Sequence, residues 1–185
     1  LAGTRGGLSR PGALLRPRLP ALAPRLTADT YPRQAGVDAI HYVFRLNLLT
    51  DTSVEIRGEA TVTLKFVAAG VREAWLDFAT AAAGGKGMTV KSVTRGGKPA
   101  PFTHQSNRLT MPLAEPPAAG EEVSFTIEYQ GVPANGLRLI KNIHGEPTAF
   151  SENWSNQARQ WLPMIDHPYD KATGEFIVTT SSVYQ

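Results

Sequence analysis

The stretch "VEIRGEATVTLKF", residues 54–66, alternates without a break. Val54, Ile56, Gly58, Ala60, Val62, Leu64 and Phe66 are apolar or small, and Glu55, Arg57, Glu59, Thr61, Thr63 and Lys65 are polar. Successive side chains of an extended chain point to opposite faces, so this period of two lays one face on a core and the other in water. The run predicts a long antiparallel strand. The stretch before it repeats the device with Ile40, Tyr42, Phe44, Leu46 and Leu48 on one face, and "NLLTDTSVEI" supplies a polar turn between the two. "EEVSFTIEY" does the same with Val123, Phe125, Ile127 and Tyr129. Shorter strands are expected over residues 71–78, 88–95, 99–103, 107–113 and 174–180, separated by the turn-forming runs "GGKG", "RGGKP" and "EPPAAGEE".

No window offers a capped three-four repeat. The best helical candidate is the Ala-rich "DFATAAAGG", residues 77–85, which is short and ends in glycine, so at most a turn or two is expected there. No repeat of solenoid or propeller period is present. The pattern as a whole predicts an all-β fold, an antiparallel β-sandwich or a curved, saddle-like sheet.

The length of 185 residues and the 42% of hydrophobic residues suit about one domain with a proper core. The net charge of +3 is unevenly spread. Residues 1–33 hold six arginines against the single Asp29, which leaves a body of 13 basic and 15 acidic residues. The boundaries read from this are a flexible basic Pro/Arg-rich leader over 1–30 and a β-rich domain over 31–185. The leader's prolines forbid a continuous helix and its arginines interrupt any signal-like apolar core. No aromatic residues interleave with those arginines and the body is slightly acidic, so no nucleic-acid partner is expected. Neither is a membrane span, since no apolar run approaches the ~20 residues a helix needs to cross. Cysteine is absent, which removes disulfides, zinc fingers and thiol nucleophiles. The chain begins at Leu1 and reads as a processed or cut product, removal of a signal peptide being one way to produce that start; the compartment is left open, with a periplasmic or secreted location favoured over the cytoplasm.

The densest chemistry lies in "NQARQWLPMIDHPYDKATGEFIVTT", residues 156–180. Of the four histidines, His41, His104, His144 and His167, none has a second His or a Glu at the spacing that places a metal pair on one helix face. His41 falls on the polar face of its strand. His167 stands beside Asp166 and three before Asp170, but neighbours on extended chain point apart, and a proline-braced turn in which Asp166 accepts hydrogen bonds from backbone or from Arg159 is the reading preferred over a metal or proton-relay cluster. No Gly-x-Ser-x-Gly, phosphate loop or dinucleotide fingerprint occurs. Taken alone, the residues specify an all-β body without a catalytic set.

Residues 158–185 nevertheless carry a specific likeness. Ala158, Arg159, Leu162, Pro163, Asp166, Pro168, Lys171, Ala172 and Phe176 follow the pattern Ala-Arg-x-x-(Phe/Leu)-Pro-x-x-Asp-x-Pro-x-x-Lys-Ala-x-x-x-Phe, and the chain resembles here the end of the N-terminal domain in the zinc aminopeptidases that include aminopeptidase N, the gluzincin metallopeptidases. The paired opening strands, with Gly58 in the middle of the second, resemble that domain's beginning, so the likeness covers roughly residues 30–185. Met164 stands where the family often has Cys. In the family a Gln or Glu five residues before the Arg helps to hold the substrate's free amino group, with a Gln two residues earlier. Those places hold Trp154 and Glu152, so the amine-binding motif is not reproduced residue for residue. Glu152 is either a displaced contact to the substrate amine or a solvated loop charge, and Trp154 would form a hydrophobic wall beside it. Arg159, Pro163, Asp166, Pro168 and Lys171 are structural in this reading.

The resemblance implies a parent enzyme that releases N-terminal amino acids from peptides. Its zinc and its His-Glu-x-x-His would belong to a following catalytic domain outside this segment, and the segment alone is expected to hold no zinc and to be inactive. The expected partners are a peptide N-terminus and that catalytic domain. The extended run at the C-terminal end, without a closing turn, reads as a domain cut short, whose open sheet edge would lead to edge-to-edge self-association. The competing class is a noncatalytic β-sandwich that binds carbohydrate or protein, for which Trp75, Trp154 and Trp161 are the available stacking residues.

Overall fold

The computed structural model describes residues 29–48 and 53–182. A compact unit spans Tyr31–Gln185. Apart from Asp29 and Thr30, the expected leader lies outside the described residues, as does the centre of the first expected turn.

Among the described residues the unit has eleven strands: β1 (Val37–Leu48), β2 (Ile56–Phe66), β3 (Glu73–Asp77), β4 (Gly87–Arg95), β5 (Lys98–Pro99), β6 (Thr103–Gln105), β7 (Arg108–Pro112), β8 (Glu122–Val132), β9 (Leu137–Lys141), β10 (Pro147–Ser151) and β11 (Thr173–Thr180). Six of them form one sheet in the order β11-β1-β2-β8-β4-β5; β3, β7 and β6 form a second, and β9 and β10 a hairpin. Antiparallel pairing prevails, but β11 lies parallel to β1.

The alternation along β2 decides the packing. Its small residues sit between large ones on both neighbours: Ala60 between Phe44 and Ile127, Gly58 between Leu46 and Tyr129. Val62, between Tyr42 and Phe125, continues the same face. Leu76 and Phe78 at the end of β3, with Leu109 and Met111 of β7, belong to the same core cluster. Each fully buried side chain of this size contributes roughly 1.5–3 kcal/mol. On the other face, Thr63 and Ser124 meet at 2.9 Å and Arg45 approaches Glu59 at 3.5 Å, exposed pairs that add little to stability.

The expected strands are present with corrections that have physical causes. A bulge between Ala39 and His41 reverses the phase of β1, so Val37 and Ala39 are buried with Tyr42 while Ile40 is only half-buried. Val54, expected on the core face, precedes the start of β2 and is 52% exposed. The single strand expected over 99–103 is divided between β5 and β6, which pair with different sheets. Residues 77–85 contain no helix: the Ala79 N–H donates to Arg159 O and the Ala81 N–H to Met88 O, so these donors serve neighbouring segments instead of a helical ladder. The β9–β10 hairpin was not expected, because "LRLIK" lacks a period of two. Among the described residues, no helix is long and apolar enough to cross a membrane.

Candidate substrate-facing site

Arg159 lies in a short 3-10 turn, Ala158–Gln160, and each of its polar groups is engaged. Its N–H and its Nε both donate to Asp166 Oδ2 at 3.1 Å, Nη2 donates to Asp166 O at 2.7 Å, and Nη1 stands 3.4 Å from Asp77 Oδ1. Its own carbonyl accepts from the Ala79 N–H at 2.8 Å. A planar guanidinium suits this task, since its fork can serve two carboxylates at fixed angles.

Asp77 is used just as fully. It is 4% exposed and, with Gln34, makes up the buried polar side chains among the described residues. Its N–H and carbonyl pair with Met164, its Oδ2 accepts from the Asp166 N–H at 3.1 Å and from the Tyr31 hydroxyl, and its Oδ1 faces Arg159. Burial, and then the bond to Asp77, push the Tyr31 phenol well above its ordinary range. Gln34 completes the clasp by exchanging two hydrogen bonds with the backbone of Trp75, at 2.7 and 3.1 Å, in place of a strand partner.

The loop after β10 carries the two candidate substrate contacts. The Glu152 N–H donates to Gly136 O, and the Gln157 N–H to Asn153 O. Trp161, itself 5% exposed, donates its indole N–H to Asn153 Oδ1 at 3.0 Å. Gly136 is required here: its φ is +78°, and a Cβ on it would stand 2.4 Å from Gln157 O. The loop is pinned at both ends, yet Trp154 is 87% exposed and Glu152 is exposed beside it. Glu152 Oε1 accepts the Trp154 N–H at 2.9 Å. Next to the loop lies an apolar groove of about 380 Å³, lined by Leu46, Leu48, Leu137, Trp161, Phe176 and Val178, with Ser151 and Asn153 as its polar members.

Of the other residues singled out in the sequence, Pro163 is buried while Pro168 and Lys171 are exposed. His167 stacks on Tyr31 with ring centroids 4.4 Å apart, and its Nδ1 accepts the Tyr169 N–H. His41 bonds Thr173 at 2.7 Å across the β1–β11 pair. Burial lowers the pKa of His104, which donates from Nε2 to the Phe78 carbonyl. Asp170 Oδ2 accepts the Ala39 N–H at the bulge, while burial raises its pKa and Asp38 adds to the rise. Among the described residues, no three His, Cys, Asp or Glu side chains converge to hold a metal. Asp77 is the residue that sequence reasoning missed. Its signal was an acidic residue within the apolar run Ala74–Phe78, where alternation fails because Trp75 and Asp77 are covered as well as Ala74 and Leu76.

A two-sheet β domain closed by an Arg–carboxylate clasp at its C-terminal segment is the class that the geometry defines. Residues 38–184 match the Peptidase M1 N-terminal domain family, and the chain belongs to it. Among solved structures it is similar to the M1 zinc metallopeptidase from Deinococcus radiodurans, with a TM-score of 0.65 at 24% identity over 80% of this chain and 33% of that one. A two-domain M1 zinc metallopeptidase mutant bound to L-tryptophan gives 0.64 at 22%, over 80% and 33%. Native yeast LTA4 hydrolase gives 0.65 at 18%, over 78% and 23%. At these identities the likeness is one of fold, and the chain spans a third or less of each of those structures' length. No curated protein sequence matches it significantly.

Proposed function

We propose that this chain is the N-terminal domain of a zinc-dependent aminopeptidase and lines the wall of its cleft, with Glu152 contacting the N-terminal ammonium of a peptide and Trp154 flanking the first side chain. Zinc and the reacting groups would be held by a catalytic domain outside this segment. The exposure of Trp154 carries the reading: a tryptophan 87% exposed on a loop pinned at both ends is poised to be covered by something else. Trp75 and Trp161 are buried at 7% and 5%, which leaves Trp154 as the one exposed tryptophan and counts against a carbohydrate-binding module that stacks sugars on a row of them.

A hydrogen bond between an ammonium and a carboxylate is worth roughly 1.5–3 kcal/mol. In the intact enzyme, Glu152→Gln should therefore raise KM about 10-fold with little change in stability, and Trp154→Ala should alter which first residue is preferred. Parental kcat and KM for Glu152→Gln on several aminoacyl 4-nitroanilides would leave Glu152 with only its local role, bonding the Trp154 N–H.

A further inference from the structure

We infer that Asp77 is a positioning residue for the Glu152–Trp154 loop and acts on it through Arg159; this rests on the amine-contact reading above. The connection is continuous. Asp77 Oδ1 faces Arg159 Nη1 at 3.4 Å, and Arg159 sits in the turn whose start is tied to the loop by the Gln157 N–H to Asn153 O. The same turn ends at Trp161, whose indole holds Asn153, the residue between Glu152 and Trp154. Movement of Arg159 is thus transmitted to both sides of Asn153.

A buried carboxylate is an expensive way to fill a core position, since an apolar residue of similar volume serves stability as well or better. What Asp77 adds is direction. It receives donors from three separate places, Tyr31, Arg159 and Asp166, while its backbone pairs with Met164. An apolar residue could not fix the rotation of the guanidinium, and Asp166 alone would leave Nη1 without its carboxylate partner. The loop and the turn lie between β10 and β11, outside the strands, so a small rotation of the turn displaces Glu152 without dismantling the sheet.

The test uses the intact enzyme and Asp77→Asn, which keeps the shape and removes the charge. KM for the best turned-over of alanine, leucine and arginine 4-nitroanilides should rise about 5-fold or more with kcat within twofold. Inhibition by leucinamide should weaken to the same extent, whereas 2-hydroxy-4-methylpentanamide, which lacks the amine, should inhibit as before; a merely structural defect would weaken both. Parental KM in the folded variant, or equal loss of both inhibitors, overturns the inference. If Asp77→Asn does not fold, Arg159→Lys, which retains charge and loses the fork, must show the same selective loss, and a parental KM there overturns it equally. A shifted Glu152→Gln beside a parental Asp77→Asn defeats this inference alone. A parental Glu152→Gln defeats the amine-contact reading on which it stands.

Discussion

The ring of Tyr129 fills the space that a side chain at residue 58 would need: a Cβ on Gly58 would stand 2.2 Å from Tyr129 Cζ. The two residues face each other across the β2–β8 pair, and Tyr129 is 2% exposed. With the ring enclosed, it has no room to retreat, and overpacking of this kind costs roughly 1–3 kcal/mol. Gly58→Ala should destabilise the domain by about 3 kcal/mol, at the upper end of that range. Urea unfolding measures it, and a loss below half of that would mean that the ring moves.

Tyr129 offers a second test, with the opposite sign. Its hydroxyl is buried without a hydrogen-bond partner, and burial drives its pKa far up. An unsatisfied buried hydroxyl costs about 1–3 kcal/mol, so Tyr129→Phe should raise stability by about 1 kcal/mol, allowing for lost packing. A marked decrease would reveal an ordered water bound to the hydroxyl.

These two residues also mark what was legible in the sequence. The period-two runs of β1, β2 and β8 were readable because one face of a single sheet meets the core and the other meets water. β3 was not readable in that way, since Arg108 over the Trp75 ring and Tyr31 and Arg159 at the Asp77 carboxylate cover its second face. The β9–β10 hairpin escaped because its apolar residues answer to local surroundings and several stay exposed, Ile140 and Phe150 among them. For the candidate site, Glu152, Trp154, Arg159 and Asp166 came from a family pattern close together in sequence. Asp77 lies 82 residues before Arg159, and pairing at that separation leaves no trace in a single sequence.

His104 gives the domain a pH dependence whose sign is fixed. Burial lowers its pKa, partly offset by the bond to the Phe78 carbonyl, so the native state favours the neutral ring. As pH falls through the unfolded-state value of about 6.5, the unfolded chain takes up the proton first, and the stabilisation present above that value is lost. His104→Phe keeps a ring against Phe78 and removes the titration. Its stability should change less than the parent's between neutral pH and the unfolding of the domain in acid, as followed by urea midpoints at several pH values. Identical profiles would place the acid sensitivity elsewhere.

The last prediction concerns β11. All eight of its residues are exposed, including Phe176 at 55%, Ile177 at 40% and Val178 at 51%, and among the described residues it pairs only with β1. Its outer edge therefore presents a row of backbone donors and acceptors between apolar side chains, which is a template for another strand. A second copy can supply that strand in antiparallel register, with apolar residues meeting across the junction and Glu175 the one charged side chain in the strand. We expect this chain to associate in a concentration-dependent way, measured by sedimentation velocity, with new protection of β11 amides at high concentration. Ile177→Lys puts a charge on the edge without touching Phe176, whose ring lies 5.2 Å from that of Phe44, or Val178, which lines the groove. It should reduce association at least several-fold while leaving the unfolding midpoint nearly unchanged, because natural edge strands are kept apart by such charges. A parental chain that stays strictly monomeric at high concentration would sink the edge-pairing reading, and association that survives Ile177→Lys would move the contact to another surface.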